Sequence, residues 1–101
     1  MNDVSCFEWD VIKARSNRVK HGVTFGQSAT VFHNAATLSV IDLENSSEEE
    51  RWITLGPDRS GRLLVVCHTY IEVSKTESRI RIISARKATK NESREYERQC
   101  S

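Results

Sequence analysis

No apolar run in this 101-residue chain approaches the roughly 20 residues needed to cross a bilayer. The stretch from Met1 to Glu8 has no apolar core segment and carries Asp3 and Glu8, so it does not read as a secretory signal. Cysteines are few and badly spaced for joint work. Cys6, Cys67 and Cys100 are odd in number, far apart and without a CxxC pattern, which argues against a disulfide framework and against a zinc site. Cys67 reads as a small buried hydrophobe, and Cys6 and Cys100 as incidental. The expectation is a cytoplasmic protein with no metal, no cofactor and no membrane partner.

The motifs of several enzyme classes are also missing. There is no Gly-rich phosphate loop, no HExxH and no GxSxG elbow. His21, His33 and His68 are scattered. The chain does not look like an NTPase, a metal enzyme or a serine-type hydrolase. It has no internal repeat and no low-complexity tract. Its length suits one domain over 1–101, with an ordered core over about 7–97.

What is present is charge that the net value of +1 conceals. Lys13, Arg15, Arg18 and Lys20 stand together in one short segment, and Asp42, Glu44, Glu48, Glu49 and Glu50 in a later one. Basic residues return from Arg79 to Arg98, at 79, 81, 86, 87, 90, 94 and 98. Segregation of this kind steers an anionic partner even when the total is near zero.

The pattern predicts α+β: two N-terminal helices, a four-stranded antiparallel sheet and a C-terminal helix. Asp10 caps the first helix and Gly22 closes it. Val11, Ile12, Ser16 and Val19 form its thin inner stripe, and Trp9 is a core anchor. Thr24 and Gln27 have capping-box spacing, followed by Phe25, Ala29 and Phe32 at helical intervals. Period two then gives strands over Leu38–Ile41, Arg51–Leu55, Arg62–Tyr70 and Arg79–Ala85. Asp42–Glu50 reads as a solvated linker and Ile71–Ser78 as a polar connection. Gly56–Gly61 makes a hairpin loop. Thr89 and Glu92 form a second capping box at the start of the last helix.

The chemistry concentrates around the basic strand Arg79–Lys87. Guanidinium groups bind phosphate in a bidentate fork. RNA carries its own nucleophile in the 2′-hydroxyl, so a protein that orients the phosphate and stabilises added charge can cut it without a metal. Arg81 and Arg86 are the candidates for that charge, with His68, Tyr96 or Lys20 for proton transfer. Lys20, His21, Arg51, Ser84 and Lys87 are candidate RNA contacts. Each has a plainer alternative. Arg81 and Arg86 can be solubilising charge on an edge strand, and Ser84 a packing residue. Arg51 can pair with Glu49 or Glu50 in a surface ion pair worth ~1 kcal/mol at most. His68 can be a buried core histidine, and Lys20-His21 a basic helix end that suits the dipole. Parity puts Arg81 and Arg86 on opposite faces of an unbroken strand. Ile82-Ile83 suggests either a bulge, which would let them share a surface, or a strand buried on both sides; alternatively the strand ends at Ala85 and Arg86 lies in the turn before the helix.

Several runs, taken in order, resemble the BrnT family of bacterial toxins over residues 7–97. They are Phe7-Glu8-Trp9-Asp10, Lys13, Asn17, Lys20-His21-Gly22-Val23 and Phe25; then Glu50-Arg51, Gly56 and Arg62-Leu63-Leu64-Val65-Val66; then Arg81-Ile82-Ile83-Ser84-Ala85-Arg86, Ala88, Thr89, Glu92 and Tyr96. The resemblance implies a compact RelE-like ribonuclease fold and an endoribonuclease toxin of a type II toxin–antitoxin system. It implies neutralisation by a BrnA-like ribbon-helix-helix antitoxin, with operator DNA bound only through that partner. The family's arginine at the end of the last strand matches Arg81 or Arg86. A different class of reading is an inactive binding module or co-repressor acting through a DNA-binding partner.

Overall fold

The computed structural model describes residues 4–47 and 49–100; Asp3 and Glu48, both weighed above, lie outside them. The elements run β1 (Val4–Glu8), α1 (Val11–His21), α2 (Phe25–Thr30), β2 (Leu38–Ile41), β3 (Arg51–Pro57), β4 (Leu63–Thr69), β5 (Ile71–Glu72), β6 (Glu77–Lys87) and α3 (Lys90–Cys100). Single 3₁₀ turns lie at Val31–His33 and Leu43–Asn45. None of the described helices is long and apolar enough to cross a membrane.

The helix signals act as their chemistry requires. The Asp10 carboxylate accepts the N–H groups of Ile12 and Lys13, and Gly22 takes a left-handed conformation at φ 70°. The Thr24 and Gln27 box closes in both directions. So does the pair formed by Thr89 and Glu92, where each backbone N–H reaches the other's side chain.

The sheet corrects the expectation of four antiparallel strands. Its order is β1-β6-β4-β3-β2, with β5 also on β6. The four expected strands are antiparallel neighbours, but β1 runs parallel to β6 along Val4–Glu8 and Glu77–Arg81. A parallel partner needs a long crossover, and five residues carry too short a pattern to announce one. The segment 71–78 is likewise not a simple connection, because β5 pairs with β6 there.

The two helices cover one face of the sheet. Val23, Phe25 and Val31 meet Leu64, Val66, Ile80, Ile82 and Ala85 in the core, with Phe7, Ala14, Ala29 and Phe32 against it. Leu64 and Val66 sit on β4, the central strand, as their apolar run predicts. The inner stripe expected for α1 is wrong. Val11, Ile12 and Val19 are exposed, and the buried residue of α1 is Asn17. Trp9 is not core either; it is 37% exposed, and its ring meets Phe25 edge-on. Cys67 is half-buried rather than buried.

Asn17 explains why α1 lies where it does. β1 covers the edge of β6 only as far as Arg81. Beyond it, the Asn17 amide donates to the Ala85 carbonyl and accepts the Ala85 N–H. One side chain thus continues the ladder that a strand has left, so no buried backbone group is stranded.

Candidate nucleic-acid interface

The double isoleucine is a bulge. Cys67 faces Ser84 while His68 faces Ile82, so Ile83 is an extra residue in β6. Ile80, Ile82 and Ala85 all reach the core despite their mixed parity. The inserted residue therefore returns Arg86 to the side that Arg81 occupies, the face opposite the helices. β6 runs on to Lys87, so the alternative of a strand ending at Ala85 does not hold.

At one end of that open face four residues fall into a row across four strands. Arg51 of β3 opposes Thr69 of β4. Thr69 accepts the Arg81 N–H through its hydroxyl, at 3.3 Å. Arg81 of β6 opposes Glu8 of β1. Arg51 and Arg81 are one strand apart, so their backbones lie ~10 Å from each other. Two long guanidinium side chains at that spacing reach a common phosphate or two adjacent ones.

Arg81 holds the Glu49 carboxylate in an ion pair, both side chains being about two-fifths exposed. Of the two partners expected for Arg51, Glu49 belongs to Arg81, and Arg51 is in no salt bridge among the described residues. Asp42–Glu50 is consequently more than a linker.

Arg86 has a different setting. It grips Glu92 in α3 with both nitrogens, at 2.8 Å each. Glu92 also closes the helix cap, and these donors, Arg86 first among them, hold its carboxyl down at about 2. A guanidinium so engaged is a strut between the open face and α3. Tyr96, further along α3, donates its hydroxyl to the Ala36 carbonyl. Neither group enters the row.

His68 is apart from it altogether. It is 3% exposed, on the helical face, and its ring meets Phe32 edge-on at 4.7 Å. Its Nδ1 faces the Thr69 carbonyl at 3.0 Å and must donate there; Nε2 then accepts from the Thr54 hydroxyl at 2.7 Å. Thr54 in turn meets Ser39 at 2.7 Å. Burial pushes the imidazole below its ordinary value of 6.5. The plainer reading of His68, a satisfied core histidine, fits this geometry.

The remaining candidates scatter. Ser84 is half-buried on the open face opposite Cys67. Lys87 is exposed at the end of β6, in register with core residue Leu64. Lys20 and His21 are exposed in the last turn of α1. Thr69 and Glu8 belong to the row and Glu49 pairs with it; none was a site candidate from sequence, Glu8 being quoted only in the family pattern and Glu49 only as a partner for Arg51. The signal for Thr69 was available, since it follows His68 in a strand and must face the other way. Nothing local marks Glu8 or Glu49, because their neighbour is Arg81, more than thirty residues away in each case.

Comparison with protein families matches residues 9–92 to the family described as the ribonuclease toxin, BrnT, of a type II toxin–antitoxin system. Among solved structures, the chain is similar to the 1.1 Å crystal structure of the Brucella abortus ribonuclease toxin BrnT. The TM-score is 0.58 at 18% identity, over 86% of this chain and 99% of that one. No curated protein matches the sequence.

Proposed function

Because the chain belongs to the BrnT family of ribonuclease toxins of type II toxin–antitoxin systems, we propose that it is an endoribonuclease that cuts RNA without a metal ion at the Arg51–Arg81 row. The observation that carries this reading is the placement of both arginines on one open sheet face, across Thr69. The fold likeness supports it.

In this reading a phosphate displaces Glu49 from Arg81 and bridges towards Arg51. The RNA 2′-oxygen attacks the neighbouring phosphorus, and the bond from phosphorus to the 5′-oxygen breaks. The products are a 2′,3′-cyclic phosphate and a 5′-hydroxyl. The guanidinium groups stabilise the added charge on the phosphoryl oxygens. Glu8 and Glu49, the carboxylates beside Arg81, are the candidates to accept the 2′-hydroxyl proton, and the leaving 5′-oxygen takes a proton from the carboxylic acid so formed or from water.

The same proposal includes a RelE-like architecture and a cytoplasmic site of action. It includes a BrnA-like ribbon-helix-helix antitoxin, through which alone operator DNA is reached. A bound antitoxin carboxylate on Arg81 would block the row just as Glu49 fills it in the free chain.

Incubation of the purified protein with RNA in EDTA tests the reading. Cleavage to cyclic-phosphate ends is expected. Intact RNA in the presence of folded protein would sink it. One observation favours the inactive binding module: Arg81 and Arg86 both hold carboxylates already. Expression in cells separates the two. Growth arrest that an Arg51→Ala/Arg81→Ala variant abolishes supports the nuclease, whereas equal growth supports the module.

A further inference from the structure

The basic residues of α1 play no part in the row, which lies on the opposite face of the sheet. Lys13, Arg15, Arg18 and Lys20 are all exposed, and none is in a salt bridge among the described residues. The helix carries no acidic residue of its own. Asp10 precedes it and caps its first turn, one oxygen accepting the N–H groups of Ile12 and Lys13, and it pairs with none of the four cations. Glu8 opposes Arg81 on the far side. At 100° per residue Arg15 and Arg18 share one side of the helix and Lys13 and Lys20 the other, and none of the four has a salt-bridge partner among the described residues.

The side that carries Arg15 and Arg18 borders a groove of about 300 Å³ between α1 and α2. Trp9, Ala14 and Phe25 supply apolar walls, and Arg15 and Arg18 line it too. Trp9 and Phe25 meet edge-on, with ring centres 6.1 Å apart. Trp9 stays 37% exposed, so part of a large apolar side chain is left to solvent beside the arginines. Exposed aromatic rings flanked by arginines are what single-stranded nucleic acid uses: bases stack on the rings and phosphates meet the guanidinium groups. A base held in a duplex is stacked on its neighbours and has no free face to offer.

We propose that the groove of Trp9, Arg15 and Arg18 is a second contact for single-stranded RNA, away from the row, which holds the strand while the row acts on it. The proposal rests on the RNA-directed reading above and adds that the substrate is single-stranded and spans two surfaces.

The test is fluorescence anisotropy with a labelled single-stranded RNA carrying 2′-O-methyl groups, which binds but lacks the nucleophile. Arg15→Ala/Arg18→Ala should weaken binding and flatten the slope of log affinity against log salt by about 1.4, at ~0.7 for each lost phosphate contact on a single strand. Trp9→Ala should weaken binding about tenfold, the order of one lost stacking contact, and leave the salt slope unchanged. The arginines are exposed, so that variant keeps its fold even if Trp9→Ala does not. Wild-type binding by the arginine variant overturns the proposal. So does equal affinity for duplex RNA, or competition by poly-glutamate as effective as by RNA of equal charge, which would assign the groove to an acidic protein segment.

Cleavage of unmodified RNA, run in parallel, separates this inference from the nuclease reading. Cleavage by wild type with no binding defect in the arginine variant removes the second contact alone. Arginine-dependent binding without cleavage removes the nuclease and upholds the contact. Neither binding nor cleavage overturns both.

Discussion

Asn17 and Ala85 share two hydrogen bonds: the amide nitrogen donates to the Ala85 carbonyl at 2.8 Å, and the amide oxygen accepts the Ala85 N–H at 3.1 Å. The same nitrogen donates to the Val23 carbonyl at 3.0 Å. A 7%-exposed asparagine therefore joins α1, the start of α2 and the free edge of β6. Asn17→Ala strands a buried N–H and a buried carbonyl together. It should cost roughly 2–6 kcal/mol, since each unsatisfied group costs about 1–3. Asn17→Asp, which sets a buried carboxylate oxygen against the Val23 and Ala85 carbonyls, should cost at least as much at neutral pH. Urea unfolding checks both, and a loss under 1 kcal/mol for the alanine variant would refute the bridging role.

Arg81 and Arg86 should separate in their effects. Arg51→Ala and Arg81→Ala each lower RNA cleavage about 10²–10³-fold, the loss typical of removing one transition-state donor, with little change in thermal stability. Arg86→Ala lowers stability by roughly 1 kcal/mol through its lost bidentate pair and lowers cleavage far less. Initial rates and melting curves on the same preparations decide. If Arg86→Ala were the more damaging to cleavage, the row would be misplaced.

Glu92 predicts an acid limb of stability. Its folded value of about 2 lies below the ordinary 4.5 because of Arg86 and Thr89. Between those values the unfolded chain binds a proton that the folded one does not. Stability from this group is therefore complete above about 4.5 and falls as pH drops towards about 2. Glu92→Gln should flatten the dependence of unfolding midpoint on pH within that window. An unchanged slope would mean that the pair with Arg86 does not persist in solution.

His68 should behave as a structural group. Burial holds its folded value below 6.5, so the stability it confers is present above 6.5 and declines as pH falls below it. His68→Gln should lower the melting temperature, yet leave cleavage within a few-fold at a temperature where the variant is folded. A loss of cleavage of about 10²-fold or more, the scale of a general acid or base, would reinstate it as a proton-transfer group.

Gly56 is a close-approach site. A Cβ there would stand 2.7 Å from the Thr37 methyl and 3.1 Å from Val31. Gly56→Ala should destabilise by about 1–3 kcal/mol, the usual cost of overpacking. Thr37→Ser, which removes that methyl, should recover part of the loss in a double variant, as read by urea midpoints.

Legibility followed the range of the interaction. Asp10, Gly22, Thr24–Gln27 and Thr89–Glu92 were readable because each cap closes within a few residues. The strands from Leu38 to Ala85 were readable because period two is local. Ile82-Ile83 offered the bulge as one of several readings, and only the register of β6 on β4 decided for it. The parallel strand β1, the inward Asn17 and the exposed Trp9 were not readable, since each depends on which surface lies opposite. Val11, Ile12 and Val19 looked like a core stripe by residue type, but α1 sits at the edge of β6 and turns them outward.

The site divides the same way. The basic strand and the family pattern were visible in the residues, and with them the expectation of an RNA-directed toxin. The chain by itself determined its helix ends, its strand periods, its charge segregation and its family. Those follow from short-range stereochemistry and residue order. Only the tertiary structure decided that Arg51 and Arg81 share a row, that Arg86 is spent on Glu92, and that His68 lies on the other face. Strand register and cross-chain pairing set those relations, and neither is encoded in any one segment.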